Sequence, residues 1–317
     1  MPGFTTVNDD HLIRANLWSN QLKDVLLDEL FAVKFVDWIT DFPDGDTLNI
    51  PSIGQAEVYN YNEGEAILYT GMDTGNFTFT ITDYKAAATY VTNKMKQDSF
   101  YMSRIIPTFV PKQHRALMKV IETQILALGN DGQTASDPNT INGARHRFVG
   151  SGTNETIAVE DFAKAAYALE TANVPMTNLT AIISPSAAFT LSTLTNIVNM
   201  SNNPRWEGIV SQTSVTGMKF IANIFGFDVY VSQNLKGGIA QTVSAVSTTV
   251  GEANLFFSAA PDILPFVGNM RQPPKVDSEY NKDRQRDEYV TTARWGFKLF
   301  RPENMVVCLT DNDQVYA

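Results

Sequence analysis

Residues 76–82, "NFTFTIT", alternate without a slip: Phe77, Phe79 and Ile81 fall on one side, Thr78, Thr80 and Thr82 on the other. A period of two predicts a strand with one covered face. "AEVYNYN" (56–62) is the expected antiparallel partner, with "NEGE" and the Gly-rich "TGMDTG" supplying turns. A two-stranded ribbon is marginal in water by itself. Each large apolar side chain left uncovered forgoes roughly 1.5–3 kcal/mol of burial. The ribbon therefore needs a surface to lie on, and Tyr59, Tyr61, Phe77, Phe79 and Ile81 are its candidate contacts.

The end of the chain repeats the period. In "RDEYVTTARWGFKLFRPENMVVCLT" (286–310), Tyr289, Thr291, Ala293, Trp295, Phe297 and Leu299 share one face, with Val290, Thr292, Arg294 and Lys298 opposite. Arg301-Pro302 breaks the run, and a second apolar strand follows. Partners for these strands must come from far upstream.

Between the two regions the period changes. Residues 98–128 give the longest helical reach, with Leu117, Val120, Ile121, Gln124, Ile125 and Leu128 on one side and a stop expected at Gly129. Pro107 and Pro111 predict a kink or an interruption. Residues 129–152 are polar and turn-rich, a candidate subdomain boundary. Helix and strand then alternate. "VEDFAKAAYALETANVP" is an amphipathic helix ended by Pro175, and "LTAIIS" is a short buried strand. "SPSAAFTLSTL" is a helix with Ser184 as N-cap and Pro185 at its first position. "KFIANIFGFDVYV" turns at Gly226, and "EANLFFSAA" is another strand. The first thirty or so residues carry a thin stripe of Leu12, Leu17, Leu22, Leu26 and Leu30 beside Trp18, the pattern of an arm that docks elsewhere.

Composition adds bounds. The chain has 317 residues, 44% hydrophobic and 18% charged, enough for one large domain or two modest ones. Its formal net charge of −10 disfavours a tight grip on nucleic-acid backbone. The single cysteine, Cys308, excludes an intrachain disulfide and reads as a small buried strand residue. The start lacks the basic and apolar runs of a signal peptide. No stretch approaches the roughly 20 apolar residues of a membrane helix. The expected protein is soluble and made inside a cell.

Catalytic motifs are missing: no Gly-x-Ser-x-Gly, no Walker loop and no Gly-x-Gly-x-x-Gly occurs. "GSGTNET" at Gly150 lacks a third glycine and reads as a flexible loop. His11, His114 and His146 have no metal-ligand spacing, and His146 is expected in a solvated polar loop. "DFPDGD" (41–46) has three aspartates around a turn, as turns commonly do. "NKDRQRDEY" (281–289) mixes three basic with three acidic residues. It reads either as a solvated strand edge or as an ion-pair surface fixing neighbouring subunits, through Asp283, Arg284, Arg286 and Glu288. No catalytic site, cofactor or metal is expected.

The order of elements, with "ALETANVPMTNLTAIISPSAAFTLSTL", "IANIFGFDVYVSQNL" and "RDEYVTTARWGFKLFRPENMVVCL", resembles the major capsid proteins of tailed bacteriophages, the Hong Kong 97-type capsid fold. The resemblance spans nearly the whole chain and implies an α+β protein with four parts. They are an N-terminal arm (1–35), an extended β-hairpin loop (49–84), a peripheral domain with the spine helix (36–48, 85–148 and 272–301), and an α/β axial domain (149–271 and 302–317). It implies a non-enzymatic protein that self-assembles into pentamers and hexamers of an icosahedral head, assembled in the host cytoplasm and resident in the virion. The implied partners are copies of itself, a separate scaffolding protein, a portal protein, an optional decoration protein and packaged double-stranded DNA bound without sequence specificity. Acidity suits an inner wall past which that DNA must slide. Some members crosslink through a lysine in the extended loop. Residues 49–84 contain none, so no crosslink is expected. The alternatives are an encapsulin-like nanocompartment, told apart by its cargo, and an α/β enzyme.

Overall fold

A computed structural model describes residues 30–40, 47–53, 59–60, 63–64, 66, 74–98, 102–193 and 219–311. The expected arm lies outside these residues except for 30–35, as do Trp18, Tyr61 and the aspartates of 41–46. In chain order the elements begin with strands β1 (Val36–Trp38), β2 (Thr47–Ile53), β3 (Thr74–Thr80) and β4 (Asp83–Thr92), then helices α1 (Asn93–Asp98) and α2 (Met102–Asp131). Three short strands, β5 (Thr140–Ile141), β6 (Ala144–Arg145) and β7 (Arg147–Val149), lead to α3 (Val159–Thr171), β8 (Leu179–Ile183) and α4 (Pro185–Thr193). The remainder is strand: β9 (Lys219–Ile224), β10 (Phe227–Val231), β11 (Thr242–Val243), β12 (Val246–Ser247), β13 (Gly251–Ser258), β14 (Phe266–Asn281), β15 (Arg286–Leu299) and β16 (Val306–Asp311).

Among the described residues two main sheets form. A six-stranded sheet runs β7-β16-β13-β8-β10-β9, and a four-stranded sheet runs β1-β14-β15-β4. The closing stretch of the chain thus ends in two places. β15 lies between β14 and β4 in the four-stranded sheet, while β16 lies between β7 and β13 in the other. The 3-10 turn Pro302–Asn304 makes the crossing, and buried Asn304 holds it by accepting the Ser258 N–H at 2.8 Å and donating to the Ser258 and Ile263 carbonyls. The faces of β15 follow the period of two, since Thr291, Ala293, Trp295 and Leu299 are buried.

The α/β alternation of the six-stranded region also appears as expected. β8 is buried at every position. The Ser184 hydroxyl receives the Ala187 N–H at 3.2 Å and caps α4. Buried Asp161 secures the start of α3, accepting the N–H groups of Ala158 and Ser151 and the Ser151 hydroxyl.

The long helix departs from expectation in three ways. It runs for 30 residues without interruption through Pro107 and Pro111. Each proline removes one backbone hydrogen bond, and a helix this long retains enough others to continue. It also passes Gly129, where a Cβ would sit 2.5 Å from Leu255 Cδ2, so the glycine there serves the close approach of α2 to β13. Finally, its buried stripe is Leu117, Ile121, Glu122, Ile125 and Leu126, while Val120 is exposed. A carboxylate inside that stripe was not expected. Glu122 accepts the Ala32 N–H at 2.7 Å and the Phe31 N–H at 3.1 and 3.2 Å, clamping the 3-10 turn Ala32–Phe35 to the helix.

Candidate intersubunit surfaces

The ribbon is real, but its partner strand differs from the one expected. β3 pairs with β2 rather than with 56–62, in a register that sets Leu48 opposite Phe79 and Ile50 opposite Phe77. The signal was present in "TLNIPSI", whose half-buried Leu48 and Ile50 alternate with exposed Thr47 and Asn49. Proline 51 within the run masked it.

The apolar face of the ribbon is also covered differently. Phe79 and Ile81 are buried within their own chain, in a cluster with Val267 that Ile39, Phe77 and Phe300 pack against. This corrects both as intersubunit contacts: the root of the ribbon folds over β14 and β15 of its own subunit, which supplies the burial the alternation called for. Phe77 is half-buried. It meets Phe300 edge-on at 4.8 Å, and the Lys298 ammonium stands 4.5 Å from its ring centre while donating to the Thr78 carbonyl. Tyr59, farther along, is 43% exposed.

Gly296 lets that root sit so low. A Cβ there would lie 2.8 Å from the Thr80 carbonyl oxygen and 2.9 Å from Ile81 Cα, both backbone atoms that cannot rotate away. Gly296→Val is therefore expected to lower stability by about 2–3 kcal/mol in urea titration. A midpoint equal to wild type would mean that the ribbon root lifts freely.

The charged run resolves into the end of a hairpin. Asp283 and Arg284 occupy the turn between β14 and β15, where the Asn281 side chain accepts both of their N–H groups at 3.2 Å. Arg286 and Glu288 lie on β15 and pair with each other at 2.6 Å, and Arg286 also stacks 4.4 Å from the centre of the Tyr90 ring. The Arg286 bond holds the Glu288 carboxyl below its ordinary range. Lys96 pairs with Asp287 beside them. These charges are used within the subunit, leaving Asp283 and Arg284 at the outer tip.

His146 corrects another expectation, being fully buried rather than solvated. Its Nδ1 lies 3.3 Å from the Ala144 carbonyl, and burial pushes its pKa down. Arg147 beside it is equally buried, donating to the Thr134 carbonyl at 3.0 Å, to Asn130 at 2.6 Å and to Gln241. "GSGTNET" is likewise a compact turn, in which the Gly152 N–H donates to the Thr156 carbonyl at 2.9 Å.

Sequence reasoning passed over several exposed apolar side chains around the six-stranded sheet: Tyr167 on α3, Phe189 on α4, Phe225 in the β9–β10 turn and Val246 on β12. Nothing in local periodicity marks them, because each sits in a turn or on a helix face that reads as ordinary. Tyr167 and Val246 border an open pocket of about 380 Å³ with Phe148 and Val243.

The described residues offer little to chemistry. None of their His, Cys, Asp and Glu side chains group into a set of three that would hold a metal. Burial raises the Cys308 thiol well above its usual range, away from the reactive thiolate. No helix among them is long and apolar enough to cross a membrane.

Comparison with known proteins agrees with a molecule of surfaces. The model of a family described as phage capsid protein matches residues 76–308. No curated protein matches the chain. Among solved structures, the capsid of cyanophage P-SCSP1u superposes with a TM-score of 0.73 at 14% identity, covering 98% of this chain and 95% of that one. The cyanophage Pam1 capsid gives 0.70 at 12%, covering 98% and 99%, and a Mycobacterium phage Che8 chain gives 0.66 at 16%, covering 94% and 97%. The fold is the Hong Kong 97 type. The chain belongs to the phage capsid protein family: it is a structural, non-enzymatic major capsid protein of a tailed bacteriophage, a component of the icosahedral virion shell.

Proposed function

We propose that copies of this chain associate into pentamers and hexamers that tile the head around packaged double-stranded DNA. The observation that carries the reading is the family match over residues 76–308, which takes in most of β3, the long helix and most of both sheets. In this reading the four-stranded sheet and α2 form the peripheral domain (36–48, 85–148 and 272–301). The six-stranded sheet, apart from the start of β7, forms the axial domain (149–271 and 302–317). Residues 49–84 are the extended loop and 1–35 the arm, whose last residues, 31–35, stay fixed to α2 through Glu122. β14 enters the four-stranded sheet at Phe266, which supports moving the boundary at 272 to about that residue.

Trp18, Tyr59, Tyr61 and the exposed edge of Phe77 then touch a neighbouring subunit, and Asp283 and Arg284 meet another at the hairpin tip. Assembly takes place in the host cytoplasm with a scaffolding protein and a portal, and a decoration protein is an optional later addition. DNA is enclosed without sequence-specific contact, as the net charge of −10 favours. During maturation the rigid sheets and long helix rotate while arm and loop re-seat on neighbours.

The decisive experiment shortens the loop and leaves its root intact. The last ladder pair of the ribbon is Ile53 with Thr74. Replacing residues 54–73 by an Asn-Gly turn therefore closes the ribbon with a turn its twist accepts. The expected result is a folded subunit with wild-type thermal stability that forms no shells by sedimentation and electron microscopy. Shells at wild-type yield would overturn the role of the loop.

A further inference from the structure

The β9–β10 hairpin turns on two residues, Phe225 and Gly226, at φ of +51° and +85°. Turns with both central residues left-handed strongly favour Asn-Gly. A bulky aromatic at the first position is backbone strain. The same Phe225 side chain is 52% exposed. It is thus strained and half-bare at once.

The opposite edge of the sheet has the complementary feature. Among the described residues β9 is one edge strand and β7 the other. Beside β7 lies the pocket of about 380 Å³, room enough for an aromatic ring, bordered by the apolar Phe148, Val243 and Val246 and the Tyr167 ring. Its wall is the β11–β12 hairpin, which also turns through left-handed residues, Ser244 at +51° and Ala245 at +71°. Charge complements shape. Arg145 lines this pocket and is exposed. Near the Phe225 turn Asp228 is held by the Asn223 amide at 2.9 Å.

Five inter-strand steps of about 4.8 Å put turn and pocket roughly 24 Å apart, too far for one to fill the other in a single subunit. Knob and hole on opposite edges make a heterologous contact, and repetition of such a contact about an axis closes a ring.

We propose that Phe225 of one copy inserts into the Phe148–Val243–Val246 pocket of the next, with Asp228 facing Arg145, and that this contact fixes the ring of each capsomer. The inference rests on the shell reading above and names the residues of one of its contacts.

Three variants of the full chain test it. Phe225→Asn supplies the residue the turn prefers, so the subunit is expected to keep or raise its thermal midpoint. Loss of the aromatic anchor should weaken each contact by roughly tenfold or more, so capsomers and shells should form only at much higher protein concentration. Val246→Glu places a charge in the pocket and should give the same assembly defect with a folded subunit. Phe225→Cys combined with Val246→Cys should, on oxidation, give a ladder of crosslinked species ending in a closed ring, which neither single variant gives. Phe225→Asn shells at wild-type concentrations with no ladder would overturn the contact and leave the shell reading standing. A wild-type chain that forms no particles under any assembly condition would overturn both.

Discussion

Glu122→Ala is expected to destabilise the subunit by about 3 kcal/mol, because it strands two buried donors and opens a void beside α2. The carboxylate takes the N–H groups of Phe31 and Ala32, the first of a turn whose Phe35 ring packs edge-on at 5.0 Å against Phe257. Without it the backbone at 31–32 loses its partner and the aromatic pair loses its anchor. For a chain of 317 residues the loss corresponds to roughly 4–5 °C in thermal midpoint. An unchanged midpoint would show that water or another group takes over the two N–H groups.

The charge state of the same residue gives the effect a pH dependence. Burial raises the Glu122 pKa above its ordinary value, and the N–H bonds from Phe31 and Ala32 offset that only in part. A carboxyl whose folded pKa exceeds its unfolded one takes up a proton on folding. Its contribution is fullest below the unfolded pKa and falls as pH rises through the folded value. Glu122→Gln, which cannot titrate, should therefore fall further behind wild type as pH is lowered from neutral toward 5. The readout is the difference in urea midpoint across that range.

How far the sequence led can be judged residue by residue. Where the determinant is local, the reading held: Ser184-Pro185 opens α4, "LTAIIS" is buried throughout, and Thr291, Ala293, Trp295 and Leu299 point inward. Where the determinant lies far along the chain, it failed. His146 and Arg147 look solvated in "ARHRF" because the groups that satisfy Arg147 are Asn130, Thr134 and Gln241, the last 94 residues away. Phe79 and Ile81 were correctly assigned to an apolar face. What covers that face is Val267, a residue no local pattern connects to the ribbon. These two side chains therefore need no neighbouring subunit, and family membership carries the shell conclusion in their place. Phe225 shows the converse. "FGF" was legible as a turn, but the cost of a phenylalanine in it appears only with the backbone angle.

Trp295→Ala is expected to be at least as damaging as the loss of Glu122, at about 4 kcal/mol. Trp295 is fully buried where β15 meets the long helix, and its indole N–H donates to the Gln124 side chain at 2.6 Å. Truncation removes one of the largest side chains of the core and also leaves the Gln124 oxygen without its donor. Two variants separate these effects. Trp295→Phe keeps most of the apolar contact and loses only the N–H, so it should cost about 1–2 kcal/mol. Trp295→Ala combined with Gln124→Leu should recover part of the alanine loss, because the leucine removes the stranded acceptor and fills some of the void. In urea, all three should shift the midpoint with the slope unchanged. A Trp295→Phe cost as large as that of alanine would mean that the hydrogen bond to Gln124, rather than the packing of the ring, is what fastens the helix to the sheet.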